Sequence, residues 1–269
     1  MPKSIKKTSL RAIESAMASL PSVTQRVGMP ARDSVIGVTE PAKGATKKQF
    51  TIIHTNEMDE YDKGATSPAA FAAAKAALPT GENFDGTDRK AAKLSISSAK
   101  VEKFSDLKDL VKSLIAEDKM KNHKPKIGTD AKSARVKEEQ RNVQVKAFLY
   151  AASKEADNDF HLIIGRDPKA TPELYMTMEL SGLPTSGAAV APLKAARNAF
   201  KKFFKDNGGQ PPGLTYDFYD PPIQVNIDGS LFFDMTHATG TRPGPKSLKS
   251  RMPVIWEVHP ITNIVLKKP

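Results

Sequence analysis

The chain of 269 residues has no cysteine. Disulfides, thiolate metal sites and thiol nucleophiles are therefore excluded, and nothing argues for an oxidising compartment. Hydrophobic residues make up 39% and aromatics 7%, enough for a real core but below the globular norm. Long apolar runs are missing too. The longest are a few residues, far short of the roughly 20 needed to cross a bilayer, so no membrane insertion is expected. Residues 1–20 are basic and Ser-rich, but Ser15 and Ser19 break the apolar stretch, and a secretory h-region is lacking. Glu14 is the sole acid there, which admits a mitochondrial-type presequence; the default is a cytoplasmic protein. Acids are scarce overall, with Lys+Arg 41 against Asp+Glu 30 and a net charge of +11. Such a surface favours polyanions, nucleic acid above all, although a basic surface also simply keeps a protein soluble. Gly-rich phosphate loops, a nucleophile elbow, HExxH and HxH are all absent.

Four stretches differ in texture. Residues 1–47 carry Lys3, Lys6, Lys7, Arg11, Arg26, Arg32, Lys43 and Lys47 against Glu14, Asp33 and Glu40, and they read as a basic flexible arm with a short helix at 10–20. Residues 48–118 read as a small α+β module. Its expected elements are a strand at 50–54, an Ala-rich helix at 69–78, a strand at 92–101 and a helix from Ser105 to about Lys119. In that helix Leu107, Leu110, Val111, Leu114 and Ile115 form the apolar stripe and Ser105 is the N-cap. Residues 119–140 read as a basic linker, with Pro125 and Gly128 inside a run of lysines. The segment 57–62 is acidic but lacks the spacing of a calcium loop.

From Arg141 the pattern becomes strand-like. Val143, Val145, Ala147 and Leu149 alternate with Gln144, Lys146, Phe148 and Tyr150. Strands are expected at 160–164 and 174–180, then a helix with Leu193, Ala196, Phe200, Phe203 and Phe204 on one face and Lys194, Arg197, Lys201, Lys202 and Lys205 elsewhere. A fourth strand runs through Ile223, Val225 and Ile227, bends at Gly229 and continues to Phe233. A fifth runs through Val254, Trp256 and Val258 and resumes after Pro260. The expected fold class is therefore α+β, with a five-stranded β-barrel over 141–269 carrying one helix between its third and fourth strands. This element order resembles the OB-fold, a five-stranded Greek-key barrel. The stretch Glu155-Ala156-Asp157-Asn158-Asp159-Phe160-His161-Leu162, with Phe232-Phe233-Asp234 and Trp256-Glu257-Val258-His259-Pro260, is similar to a group of uncharacterised bacterial proteins. The Asp157-Asn158-Asp159 turn also resembles the staphylococcal-nuclease barrel, but the arginine-rich stretch of that family is missing, with Arg166 the sole candidate.

Two constellations could carry function. The loop 235–253 holds Arg242, Lys246, Lys249 and Arg251 and no acid, with Gly240, Pro243, Gly244 and Pro245 leaving its backbone exposed. With Lys146, and with Phe148 and Tyr150 as stacking surfaces, it would bind nucleic acid, which makes a non-enzymatic binding protein the leading expectation. A protein-interaction module is the first alternative, and it brings a protein partner. The second alternative is a metal-dependent hydrolase. Asp159 and His161 share a strand face, as do Glu257 and His259, and Asp234 and His237 end the fourth strand. If these pairs converge they could hold a divalent metal and activate water; otherwise each is a hydrogen-bonded pair and no cofactor is needed.

Overall fold

Residues whose side chains alternate between apolar and polar have to choose a face, and in this chain they do so over one continuous sheet. A computed structural model describes residues 28–39, 50–58, 81–239 and 242–268. The sheet contains β1 (Val35–Thr39), β2 (Thr51–Thr55), β3 (Val101–Phe104), β4 (Asn142–Lys154), β5 (Phe160–Gly165), β6 (Tyr175–Leu180), β7 (Asp217–Phe233) and β8 (Trp256–Lys267). Five helices accompany it: α1 (Lys90–Lys93), α2 (Leu107–Ser113), α3 (Glu117–Lys121), α4 (Val190–Asp206) and α5 (Lys246–Lys249). The protein is α+β with an eight-stranded mixed sheet in the order β1-β2-β7-β8-β6-β5-β4-β3.

Because β7 also pairs with β4, five strands form a ring: β4, β5, β6, β8, β7 and back to β4. Within it β6 and β8 are parallel, and the other neighbours are antiparallel. Val143, Val145, Leu162, Met178, Ile227 and Val258 pack inside, together with Phe200 and Phe204 from α4. Burying each of these side chains is worth about 1.5–3 kcal/mol. The register shifts on both sides of Gly229, and a Cβ there would lie 2.5 Å from the Pro260 carbonyl oxygen. The bend therefore demands glycine at that point and lets Pro260 sit within β8 at an irregularity.

Several expectations change. The long helix is two short ones, α2 and α3, and the N-cap of α2 is Asp106, whose carboxylate accepts from the Lys108 N–H at 2.8 Å, rather than Ser105. Residues 92–101 are not a strand: α1 occupies their start and β3 begins only at Val101, because the alternation there is too loose to pair. Arg197 is buried rather than solvent-facing; it donates to the carbonyls of Asn158, Leu180 and Ser181 and lies 4.8 Å over the Phe160 ring.

The stretches before residue 141 join the same sheet. β1, inside the expected arm, pairs with β2, which pairs with β7, and β3 runs parallel to β4. His54 fastens this edge, meeting Thr39 Oγ1 at 2.6 Å and Asp217 Oδ1 at 2.8 Å. The expected linker is tied down by two buried side chains. Glu139 accepts from both Arg89 terminal nitrogens, at 2.7 and 2.8 Å, and from the backbone N–H of Phe233 and Val136. Arg135 donates to the carbonyls of Ser95, Leu231 and His259. The Arg135 charge there meets buried acceptors instead of solvent, while Lys124, Lys126 and Lys132 are exposed. The expected helices at 10–20 and 69–78, and residues 59–62 of the acidic segment, lie outside the described residues.

Candidate metal centre

The ring turns its inward residues to the apolar core, so the alternate residues of β5, β6 and β8 must face outward. These are His161 and Ile163, Thr177 and Glu179, and Glu257 and His259. Pairing of His161 with Glu179, and of Met178 with Val258, sets the three strands' polar residues side by side. Asp159 enters from the start of β5, Asp234 and His237 from the end of β7, and Lys93 from α1. Asp159, Glu257 and His259 are 0% exposed, His161 1% and Glu179 4%.

Contacts within this group fall into two kinds. His161 and His237 are each held by a carboxylate at Nδ1. The Nδ1 of His161 meets Glu155 and its Nε2 meets Thr177 Oγ1 at 3.2 Å, while His237 Nδ1 meets Asp234. The middle of the group is different. His259 Nδ1 lies 2.8 Å from Glu179 Oε2 and 3.6 Å from Glu257 Oε2, and its Nε2 lies 3.4 Å from Asp159 Oδ2. None of these contacts is aligned as a hydrogen bond: Asp159 Oδ2, Glu179 Oε2, both Glu257 oxygens and both His259 ring nitrogens are buried without a hydrogen-bond partner. Buried polar atoms are normally paired, and leaving one unpaired costs about 1–3 kcal/mol, more if it is charged.

Electrostatics sharpen the anomaly. Six carboxylates (Glu155, Asp157, Asp159, Glu179, Asp234, Glu257) share this group with Lys93, which approaches Asp157 at 3.4 Å and Asp159 at 4.0 Å. Burial, with Asp157 and Glu179 adding to it, pushes the Asp159 carboxyl well above the usual range. Burial, Glu179 and Asp234 do the same to Glu257. Burial pushes Glu155 up to about 7 against the pull of His161. Burial works against the charge on Glu179 and Lys93 as well, yet His259 and Lys93 hold Glu179 well below its ordinary value, and Asp157, Glu179 and Asp159 hold Lys93 well above its own. Burial lowers His259 despite Glu179.

Asp159, Glu179 and His259 each offer a donor atom within 4.8 Å of the others, as do Glu155, His161 and Glu179, and Asp234, His237 and Glu257. Donors sharing one ion at bond lengths of about 2.0–2.2 Å stand roughly 3–3.5 Å apart; Asp159 Oδ2 lies 3.4 Å from His259 Nε2, and Glu179 Oε2 lies 2.8 Å from Nδ1 on the other side of the ring. Mixed carboxylate and imidazole donors without thiolate suit manganese, iron, cobalt or zinc as divalent ions. Comparison with protein-family models, curated proteins and solved structures finds no match for the chain. The geometry of the site thus carries the functional argument alone.

All six residues expected as metal ligands, Asp159, His161, Asp234, His237, Glu257 and His259, meet in this one outward patch. Glu179, Glu155 and Lys93 were missed. The signal for Glu179 was a carboxylate inside the apolar run of β6. The residues expected at nucleic acid are scattered. Arg242 forks onto Glu117 at 3.0 and 3.3 Å, and Arg251 is paired with Glu173 and the Ser247 carbonyl. Tyr150, expected as an exposed stacking surface, is buried and donates to the Arg166 carbonyl at 2.9 Å. Phe148 is half-buried against the same outer cluster, whereas Lys146 and Lys246 are exposed and Lys249 partly so. The loop itself is packed: Gly244, Pro245, Leu248 and Met252 are buried, because its apolar residues cover the outer face of the ring. A separate surface pocket of about 320 Å³, lined by Gly28, Met29, Tyr150, Tyr219, Pro221 and Pro222 among others, shares no residue with the polar patch. Among the described residues no helix is long and apolar enough to cross a membrane.

Proposed function

We propose that this is a metalloprotein whose five-strand ring is an OB-like barrel and whose outer face holds a divalent cation on Asp159, Glu179 and His259. The observation that carries this is the set of fully buried, unpartnered donor atoms gathered around His259. A cation there would take one His259 ring nitrogen and an oxygen each of Asp159 and Glu179, hold the carboxylates ionised and fasten β5, β6 and β8 to one another. The ligands have almost no solvent exposure, which favours a structural or storage role over hydrolysis of a large substrate at this centre. The OB-like assignment is supported by the ring of five strands and by the position of α4 between β6 and β7.

The test is elemental analysis of protein purified without chelator, with Asp159→Asn and His259→Ala as controls. We expect at least one transition-metal ion per chain, lost in both variants, and a melting point that rises on adding Mn2+ or Zn2+. Protein that neither retains nor takes up either ion, with an unchanged melting point, would sink the assignment.

Polyanion binding ranks second. The net charge of +11 and exposed Lys146 and Lys246 favour it, but Arg242 and Arg251 already have carboxylate partners. Salt-dependent retention of an oligonucleotide, lost on reversing the charge of Lys146, Lys246 and Lys249, is its test.

A further inference from the structure

We propose that the centre is dinuclear: a second divalent cation sits beside the first, on Asp234, His237 and Glu257. This rests on the assignment of Asp159, Glu179 and His259 to the first ion and extends it.

Glu257 is the decisive residue. Its side chain leaves β8 on the outward face, is fully buried, and neither of its oxygens has a hydrogen-bond partner. Among the described residues its ion-pairing neighbour is His259 Nδ1 at 3.6 Å, and that nitrogen is nearer to Glu179. The first ion's ligand set therefore leaves Glu257 unsatisfied. Two neighbours stand ready to share a cation with it, since Asp234 and His237 place donor atoms within 4.8 Å of its carboxylate and of each other.

The second ligand set is also preorganised. Asp234 ends β7 and accepts from the backbone N–H of Thr236 at 2.8 Å and of His237 at 3.2 Å, which fixes the turn that carries His237. Its other oxygen meets His237 Nδ1, the kind of carboxylate contact that sets the ring orientation and tautomer of a ligating histidine. The 3.6 Å approach of Glu257 to His259 makes the two ligand sets contiguous, as neighbouring ions in a two-metal site require.

Charge points the same way. Lys93 and one divalent ion bring three positive charges to the six carboxylates of the group; a second ion brings five, close to balance. Isolated buried charge of either sign is strongly disfavoured, so the near-neutral filling is the favoured one.

The experiment uses the full chain, stripped with chelator, dialysed against Mn2+ and in parallel against Zn2+, with bound metal counted by mass spectrometry. Two ions per chain are expected, and the Mn2+ form should show an exchange-coupled electron paramagnetic resonance spectrum. Glu257→Gln, which preserves shape, should hold one ion and give an uncoupled six-line Mn2+ signal; His237→Ala should do the same. Circular dichroism verifies that each variant folds, and Glu257→Gln suffices if His237→Ala does not. One ion per chain in the wild type, lost in Asp159→Asn but retained in Glu257→Gln, would overturn the second site and leave the first standing. No bound ion in the wild type would overturn both.

Discussion

Two buried charged groups in this protein are built from similar residues and end up opposite in character. Around Glu139 every carboxylate oxygen is used twice, once by Arg89 and once by a backbone N–H. Around His259, a short distance along the same sheet, carboxylates and imidazole approach each other at 2.8–3.6 Å without a single aligned hydrogen bond. The chain can clearly complete a buried ionic group from its own residues. Where the described residues leave one incomplete, with four acidic or basic side chains at 0–4% exposure, the proposed cation is what would complete it.

That contrast can be broken most forcefully at its completed half. Arg89→Ala strands a buried carboxylate and should cost about 3–5 kcal/mol in urea unfolding. A smaller effect follows pH. In metal-free protein the folded-state pKa of Glu155 is raised from 4.5 to about 7, and those of Asp159 and Glu257 are raised as well. A carboxyl with a raised folded pKa contributes stability in acid and loses it as pH climbs from the unfolded value through the folded one. The contribution of these carboxyls without metal should therefore fall between about pH 4.5 and pH 7, by about 3 kcal/mol from Glu155 alone, against the opposite contribution of His259, whose pKa is lowered. With Mn2+ bound the slope should reverse, since protons then compete with the ion. Melting points at pH 5 and pH 8, with chelator and with metal, check both signs.

Next in size is a change that acts oppositely at the two groups. Glu257→Gln should stabilise the metal-free protein by about 1 kcal/mol at high pH, where ionising the buried carboxyl is costly, while Glu139→Gln should destabilise it. Both destabilising equally would show that the His259 group is complete as it stands. Smallest is Arg242→Ala. Its pair with Glu117 is partly exposed, so the loss should be under about 1 kcal/mol by chemical denaturation.

The ring was legible because its strands alternate cleanly: Val143 to Leu149, and Trp256 to Val258, commit their faces without help. The first 140 residues were less legible for a physical reason. Strands β2 and β3 are short and draw their pairing from β7 and β4, far away in sequence, so local composition reports little of it. Arg135 and Glu139 look like linker residues because a lysine-rich stretch hides that two of its charges are buried. In the polar patch the His/acid pairs two residues apart were visible, since a two-residue spacing fixes a shared face. Glu179 was not, because only the pairing of β5 with β6 makes it a neighbour of His161, and Glu155 reaches the same ring across the turn between β4 and β5. The basic loop misled in the opposite direction: its own sequence has no acid, yet Glu117 and Glu173 arrive from other segments.

The parallel seam between β6 and β8 has a further consequence for the order of assembly. β8 can enter the ring only by settling between β6 and β7, two strands that come earlier in the chain. It carries Glu257 and His259, whereas Asp159 and Glu179 stand about 100 and 80 residues upstream. The two halves of the ligand set stay apart until that seam closes. Uptake of the proposed ion would thus time ring closure: an absorbance or fluorescence probe of bound ion, followed during refolding, would report the moment the last strand seats and not the earlier collapse of the others.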